Sequence, residues 1–243
     1  MNRLTATFAG TLFAASGAYT ALTWWRISRI DFSTIKATNS IPDSLKLSGT
    51  LNAVVNPRNH IRRDSSRSIT CKLPSRLTDE QVLARYLKGF FGSYVFGPEQ
   101  VALRTLHHNF VGFSELSHVE NPARLWSSSD LSGDHLPGLY TILFGAFQIV
   151  EKQIDTTSPG RLSRTHSYID VAFGSDTSEF SGVHRFSIYR DADKDSDIVT
   201  VDHPDTCCNP TIDQPKFPDF MITLHRMYSM LLFREAVARV MEP

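Results

Sequence analysis

The sequence predicts an α+β fold, a curved antiparallel sheet wrapped around a long C-terminal helix and preceded by one transmembrane helix. Three observations lead there. Residues 109–203 carry a series of strand-like alternations broken by turn residues. Near the C-terminus, Phe217, Met221, Leu224, Tyr228 and Leu231 recur at helical spacing. At the other end, an uncharged run from Thr5 to Trp25 lies between Arg3 and Arg26. Antiparallel strands with helices segregated to one side form an α+β domain.

The first element is the uncharged run. At helical rise it reaches roughly 30 Å, about one bilayer core. Trp24 and Trp25 sit where interfacial aromatics belong. The alternative is a cleaved signal peptide with Ser16-Gly17-Ala18 as its small-residue site. Arg26 and Arg29 behind the run, against Arg3 before it, point to a cytosolic body. The expected setting is a single-pass membrane protein, as at the endoplasmic reticulum, with membrane enzymes as neighbours. Residues 1–29 then form the anchor, 30–66 a polar tether and 67–243 the folded domain. The basic cluster Arg58, His60, Arg62, Arg63 and Arg67 reads as a solvated face of the tether, with anionic head groups as the other option.

Within the domain, "SITCKL" (68–73) alternates as a strand and Pro74 ends it. "TDEQ" (78–81) is a capping box, with Thr78 as the cap and Gln81 reaching back. Val82, Leu83, Tyr86, Leu87 and Phe90 follow as a helical stripe closed by Gly92. Gly97-Pro98 opens a second helix to about Leu106. Strands are expected near 109–117, 123–128, 139–152, 161–173, 182–190 and 196–203. The 139–152 stretch is one strand kinked at Gly145, or two. Breaks fall at Pro159-Gly160 and in the acidic run from Asp191 to Asp197. A long helix over 218–241 closes the chain.

Composition narrows the function. Lys+Arg and Asp+Glu are both 25, so no global field favours a polyanion, and no nucleic-acid partner is expected. Sixteen Phe and seven Tyr suit a large apolar interior or a ring-lined pocket. Three cysteines, Cys71, Cys207 and Cys208, do not make a disulfide framework. The dinucleotide, P-loop, nucleophile-elbow and zincin motifs are absent. "HPDTCCNP" (203–210) offers His203 and two cysteines, but adjacent cysteines chelate one tetrahedral ion poorly. Its prolines read as a turn before the last helix, so no metal is expected. "LHHNF" (106–110) is set aside as a chelate, since adjacent histidines point apart.

Candidate chemistry lies in the strands and the last helix. In "SGVHRFSIYR" (181–190), His184, Phe186 and Ile188 share one face, and Arg185, Ser187 and Tyr189 the other. Phe186 and Ile188 mark the inward face, which puts His184 on the concave side. A histidine there suits general acid–base work because it titrates near neutrality. Arg185, facing away, is expected to matter little. In "RTHSYIDVAF" (164–173), His166, Tyr168 and Asp170 share a face, which is either a polar cavity wall or a solvated surface. On the helix, Tyr228 belongs to the stripe and His225 sits at its edge.

The C-terminal third resembles a known group. Tyr168, then Gly182, Arg185 and Phe186 in "SGVHRFSI", the strand "DIVTVDHP" and the helix end "FREAVARV" carry the resemblance. The group is the START-like, helix-grip (SRPBCC) superfamily, nearest to an uncharacterised bacterial and plant family within it. That family usually has a Gly-Glu-Glu-like stretch where this chain has Gly182-Val183-His184. The resemblance implies an apolar cavity under the C-terminal helix that holds a lipid, sterol, polyketide or plant metabolite.

The resulting expectation is a tailoring enzyme without cofactor, a cyclase, isomerase or dehydratase acting on a hydrophobic natural product. His184, Asp170 and Tyr228 are its expected catalytic residues, with Asp170 orienting His184 and Tyr228 donating to an oxyanion. His166, Tyr168, Phe186, Ile188, Leu224, His225 and Leu231 are the expected ligand-binding residues. A non-catalytic lipid or sterol carrier and a membrane-anchored scaffold are the alternatives.

Overall fold

The computed structural model describes residues 3–155, 164–191, 195 and 197–243, with side chains described from residue 16. Eight strands form one sheet in the order β1-β2-β8-β7-β6-β5-β4-β3. They are β1 (Lys36–Thr38), β2 (Arg62–Lys72), β3 (Arg124–Leu125), β4 (Ile142–Leu143), β5 (Phe147–Gln153), β6 (Arg164–Gly174), β7 (Ser181–Asp191) and β8 (Ile198–Cys208). Pairing is antiparallel except between β3 and β4. The helices are α1 (Arg3–Ser28), α2 (Asp43–Lys46), α3 (Asp79–Phe91), α4 (Gly97–Leu106) and α5 (Asp219–Val240). The chain is thus α+β, with a long C-terminal helix.

Local signals place α3 as read. Thr78 accepts from the Gln81 backbone and the Gln81 side chain answers, closing the capping box. The α3 stripe lands on the sheet, with Tyr86, Phe90 and Phe91 all packed against Phe186 of β7. Helix α5 lies on α3 at close range, because Gly89 has no side chain. A Cβ there would come within 2.8 Å of Arg239 Cβ and 2.9 Å of the Ala236 backbone. The inner face of the sheet, α3 and the second half of α5 form the main core.

The outer face is covered too, and this corrects the tether. Residues 30–66 contain β1, α2, a π-helical turn at Thr50–Val55 and the start of β2. Leu45, Leu51, Val54 and Val55 are buried in a second core with Ala172 and Val183 on the back of the sheet. The basic cluster is not a free face either. Arg67 is buried against Asp205, Arg63 pairs with Asp219, Arg62 with Asp64, and Arg58 donates to the Asp176 and Pro210 carbonyls.

The membrane anchor is also corrected. Among the described residues, no helix is long and apolar enough to cross a membrane. Thr5, Thr7, Thr11, Ser16, Gly17, Thr20 and Thr23 dilute the apolar side chains of the run. The end of α1 is instead tied to the domain. Ile27 and Ile30 are buried, Arg26 reaches Glu235 and Glu242, and the Tyr19 hydroxyl donates to the Tyr94 carbonyl. The single-pass placement at the endoplasmic reticulum, and the membrane contacts inferred from it, lose their basis.

Two strand readings change as well. The 139–152 stretch is two strands, β4 and β5, joined through Gly145 at φ 69°. The segment 109–117 contributes only a bridge from Gly112 to Ser175 and a short 3-10 turn. The breaks expected at Pro159-Gly160 and at residues 192–194 and 196 lie outside the described residues.

Candidate functional site

A cavity of about 310 Å³ opens between the inner face of the sheet, α4 and α5. Its wall is aromatic, made by Phe90, Phe96, Phe110, Phe147, Phe173 and Phe180, with Ala146 and Leu232 between them. Five polar side chains interrupt that wall, namely His184, His225, Tyr228, Ser229 and Glu99. An apolar pocket with a few placed polar groups is the usual form of a small-molecule site.

Strand alternation puts His184 in the wall. It sits on β7 between Gly182 and Phe186 on the inner face, and only 6% of it is exposed. Gly182 is needed where it stands. A Cβ there would collide with the Phe173 ring and come within 2.6 Å of the Thr206 carbonyl. That leaves Phe173 free to line the cavity and pack on His184 at 4.8 Å between centroids.

Behind His184 lies a second, fully buried histidine. His203 Nε2 is 3.2 Å from His184 Nδ1, with one hydrogen shared between the two nitrogens. The His203 ring stacks on Phe90 at 5.1 Å and meets Phe186 edge-on at 4.8 Å. Asp205, two residues along β8, accepts from the Ser65 hydroxyl and from Arg67 Nη1 at 3.3 Å. Burial holds the His184 imidazolium down to about 4, and Arg67 adds to that while Asp205 opposes it. Burial first, then His184 and Arg67, holds His203 well below its ordinary value. Both rings are therefore neutral at pH 7.

His184, His203 and Asp205 each offer one ligand atom, and these atoms lie within 4.8 Å of one another. Neutral imidazoles suit a metal. The carboxylate, however, is already neutralised by the Arg67 guanidinium, which would repel a cation. The arrangement reads better as a hydrogen-bonded polar core than as a metal centre.

Opposite the histidines, Tyr228 donates its hydroxyl to Glu99 Oε2 at 2.8 Å. Burial raises the Glu99 carboxyl above its ordinary value, with the Tyr228 hydrogen bond opposing. Tyr228 is raised by burial and by the Glu99 charge, so it stays a donor. His225, on the rim, is lowered chiefly by partial burial.

Of the residues read from sequence, His184, Tyr228 and His225 meet in the cavity. The others do not. Asp170 lies on the outer face and does not orient His184. It accepts both Arg185 Nε and Nη2 at 2.6 Å, and both side chains are fully buried. Arg185 therefore bears on stability through this pair, while it faces away from the cavity as read and its loss is still expected to matter little to the chemistry. Tyr168 lies under the Arg185 guanidinium at 3.8 Å and donates to Glu151 at 2.6 Å. His166 stacks on Tyr189 at 4.3 Å on the same outer face, where burial holds it down to about 4. Phe186 and Ile188 are inward but belong to the packed core. Leu224 is 59% exposed, and Leu231 is half-buried outside the cavity lining. The α5 face that packs is one step along, with Ile222, Ser229, Leu232, Phe233 and Ala236 buried.

Sequence reading missed Glu99, set His203 in a turn away from His184, and reached a ring-lined pocket from composition alone without placing its residues. Glu99 sits in "GPEQ", which shows a helix start and nothing else. His203 precedes a proline that suggested a turn, but β8 runs straight on to Cys208.

No family model matches the chain, and no curated protein matches it. Among solved structures it is similar to a hypothetical protein from Helicobacter pylori, with 11% identity and a TM-score of 0.31 over 82% of this chain and 96% of that one.

Proposed function

We propose that this protein is an enzyme that works by general acid–base catalysis on a hydrophobic small molecule held in the cavity under α5. The isomerase, cyclase and dehydratase reactions all fit that description. The observation that carries the reading is one aromatic pocket containing both a neutral histidine, His184, and a carboxyl raised by burial, Glu99. Catalytic pairs of titratable groups are characteristically perturbed in this way. The element order, with a long last helix over an antiparallel sheet, supports kinship with the helix-grip superfamily.

The reactive groups are few and distinct. His184 and Glu99 transfer or hold protons, and the Tyr228 hydroxyl fixes one Glu99 oxygen. The phenylalanine wall lowers the local dielectric, which strengthens each polar contact beside it. A positioned acid or base contributes about 10²–10⁴-fold in rate.

Deuterium uptake tests the reading. The full chain is incubated with 2-nonanone and medium-chain enones in deuterated water, and uptake next to the carbonyl is followed by mass spectrometry. The wild type is expected to catalyse uptake, and folded His184→Gln and Glu99→Gln to lose at least about 10²-fold. Saturable binding without uptake would overturn catalysis and leave a carrier.

A further inference from the structure

We infer that His203 fixes the tautomer of His184, so that His184 presents an N–H to the cavity and the ligand group it receives is a carbonyl oxygen. The inference rests on the acid–base reading above and names its substrate class.

Only one hydrogen lies between His203 Nε2 and His184 Nδ1, which are 3.2 Å apart. Two arrangements are possible for neutral rings. In one, His203 donates from Nε2, and its Nδ1 is a bare lone pair. In the other, His184 donates from Nδ1, and His203 must carry its hydrogen on Nδ1. His203 Nδ1 is buried and has no hydrogen-bond partner among the described residues. The second arrangement would therefore bury an orphan N–H, which folded proteins rarely tolerate. It would also put both rings in the tautomer that free imidazole side chains disfavour. The first arrangement leaves both rings in the favoured Nε2–H form.

The packing gives His203 no freedom to choose otherwise. Its ring is held between Phe90, Phe186 and Phe233, and Tyr86 closes the remaining side. His203 does not line the cavity, so it is a positioning residue and not a catalytic one.

A neutral histidine that offers N–H is an electrophile toward oxygen, not a base. The base is then Glu99, whose Oε2 is engaged by Tyr228, which leaves Oε1 for the substrate. The step balances simply. The C–H next to the carbonyl breaks, its proton passes to Glu99, and its electron pair moves into the enolate. The enolate oxygen accepts the His184 Nε2–H bond. The proton returns from Glu99 to the same or a conjugated carbon, which gives exchange or isomerisation.

The test is a two-bond ¹⁵N–¹H correlation spectrum of the full chain labelled with ¹⁵N-histidine. His184 is assigned with His184→Gln. The Nε2–H pattern is expected for both buried rings at pH 7. On adding 2-nonanone, the His184 Nε2–H proton should move downfield. His203→Phe keeps the ring shape, removes the constraint and should let His184 populate the other tautomer. An Nδ1–H pattern for wild-type His184 would overturn the inference, even if deuterium uptake still depends on His184. Absence of uptake with the Nε2–H pattern and the ketone shift intact would instead overturn catalysis and spare the inference.

Discussion

Arg185 and Asp170 form a two-pronged ion pair on the outer face of the sheet, with both contacts at 2.6 Å and no exposure of either side chain. The pair lies directly across β6 and β7, where Asp170 faces Arg185 in register. It separates the structural carboxylate of this fold from the chemistry of the inner face.

Breaking that pair should cost stability and not chemistry. Asp170→Ala or Arg185→Ala leaves a lone buried charge, at about 3–5 kcal/mol. Denaturant midpoints should fall by a corresponding amount. Replacing both by Met and Leu should cost less than either single change. A single variant with unchanged stability would contradict the buried pair.

The histidines predict an acid-sensitive fold. His184 and His166 are held down to about 4, and His203 and His225 are also lowered. A histidine lowered in the folded state binds fewer protons there than in the unfolded chain. Its stabilisation is thus complete above the unfolded value near 6.5 and is lost as pH falls toward 4. Stability should drop with acid across that window. His184→Gln should flatten the slope by at most about 1.4 kcal/mol per pH unit. An unchanged slope in that variant would show that His184 is not buried as described.

The packing of α5 on α3 should be sensitive at Gly89 of α3. The neighbouring Ala236 backbone and Arg239 Cβ leave no room for a branched side chain. Gly89→Val should cost about 1–3 kcal/mol by overpacking and should loosen the cavity roof. A melting temperature equal to that of the parent would show that the helices are not in such close contact.

The cavity itself can be filled. Ala146→Leu places bulk among Phe147, Phe173 and Phe180 and should weaken binding of an apolar fluorescent probe at least about tenfold, or roughly 1.4 kcal/mol. Leu224→Ala, on the exposed side of α5, should leave binding unchanged. Equal effects of the two would place the probe elsewhere.

What the sequence showed was local. The Thr78–Gln81 box and the alternation of His184, Phe186 and Ile188 are written within a few residues, and both stand in the structure. What it hid was pairing across the chain. Nothing near Asp170 names Arg185 as its partner, because only the β6–β7 register brings them together. Pro204 hid β8. Lacking an N–H, it sits where the β7–β8 ladder lapses between His184–Asp205 and Ser187–Asp202, and strand logic stops there. The ladder to β2 continues through Ser66–Pro204, so the strand survives and carries His203 to His184. The α5 stripe misled for a different reason. Its first turns, with Phe220, Met221, Leu224 and Met227 exposed, run beyond the core, so the apolar spacing there does not mark the packed face.

The most direct test of the central claim is a crystal structure of the full chain with 2-nonanone bound. The ketone is expected inside the phenylalanine wall, its tail toward Phe147 and Phe173. Its oxygen should lie at about 2.6–3.2 Å from His184 Nε2. A ketone bound only at the surface, or one whose oxygen points away from His184, would contradict the account.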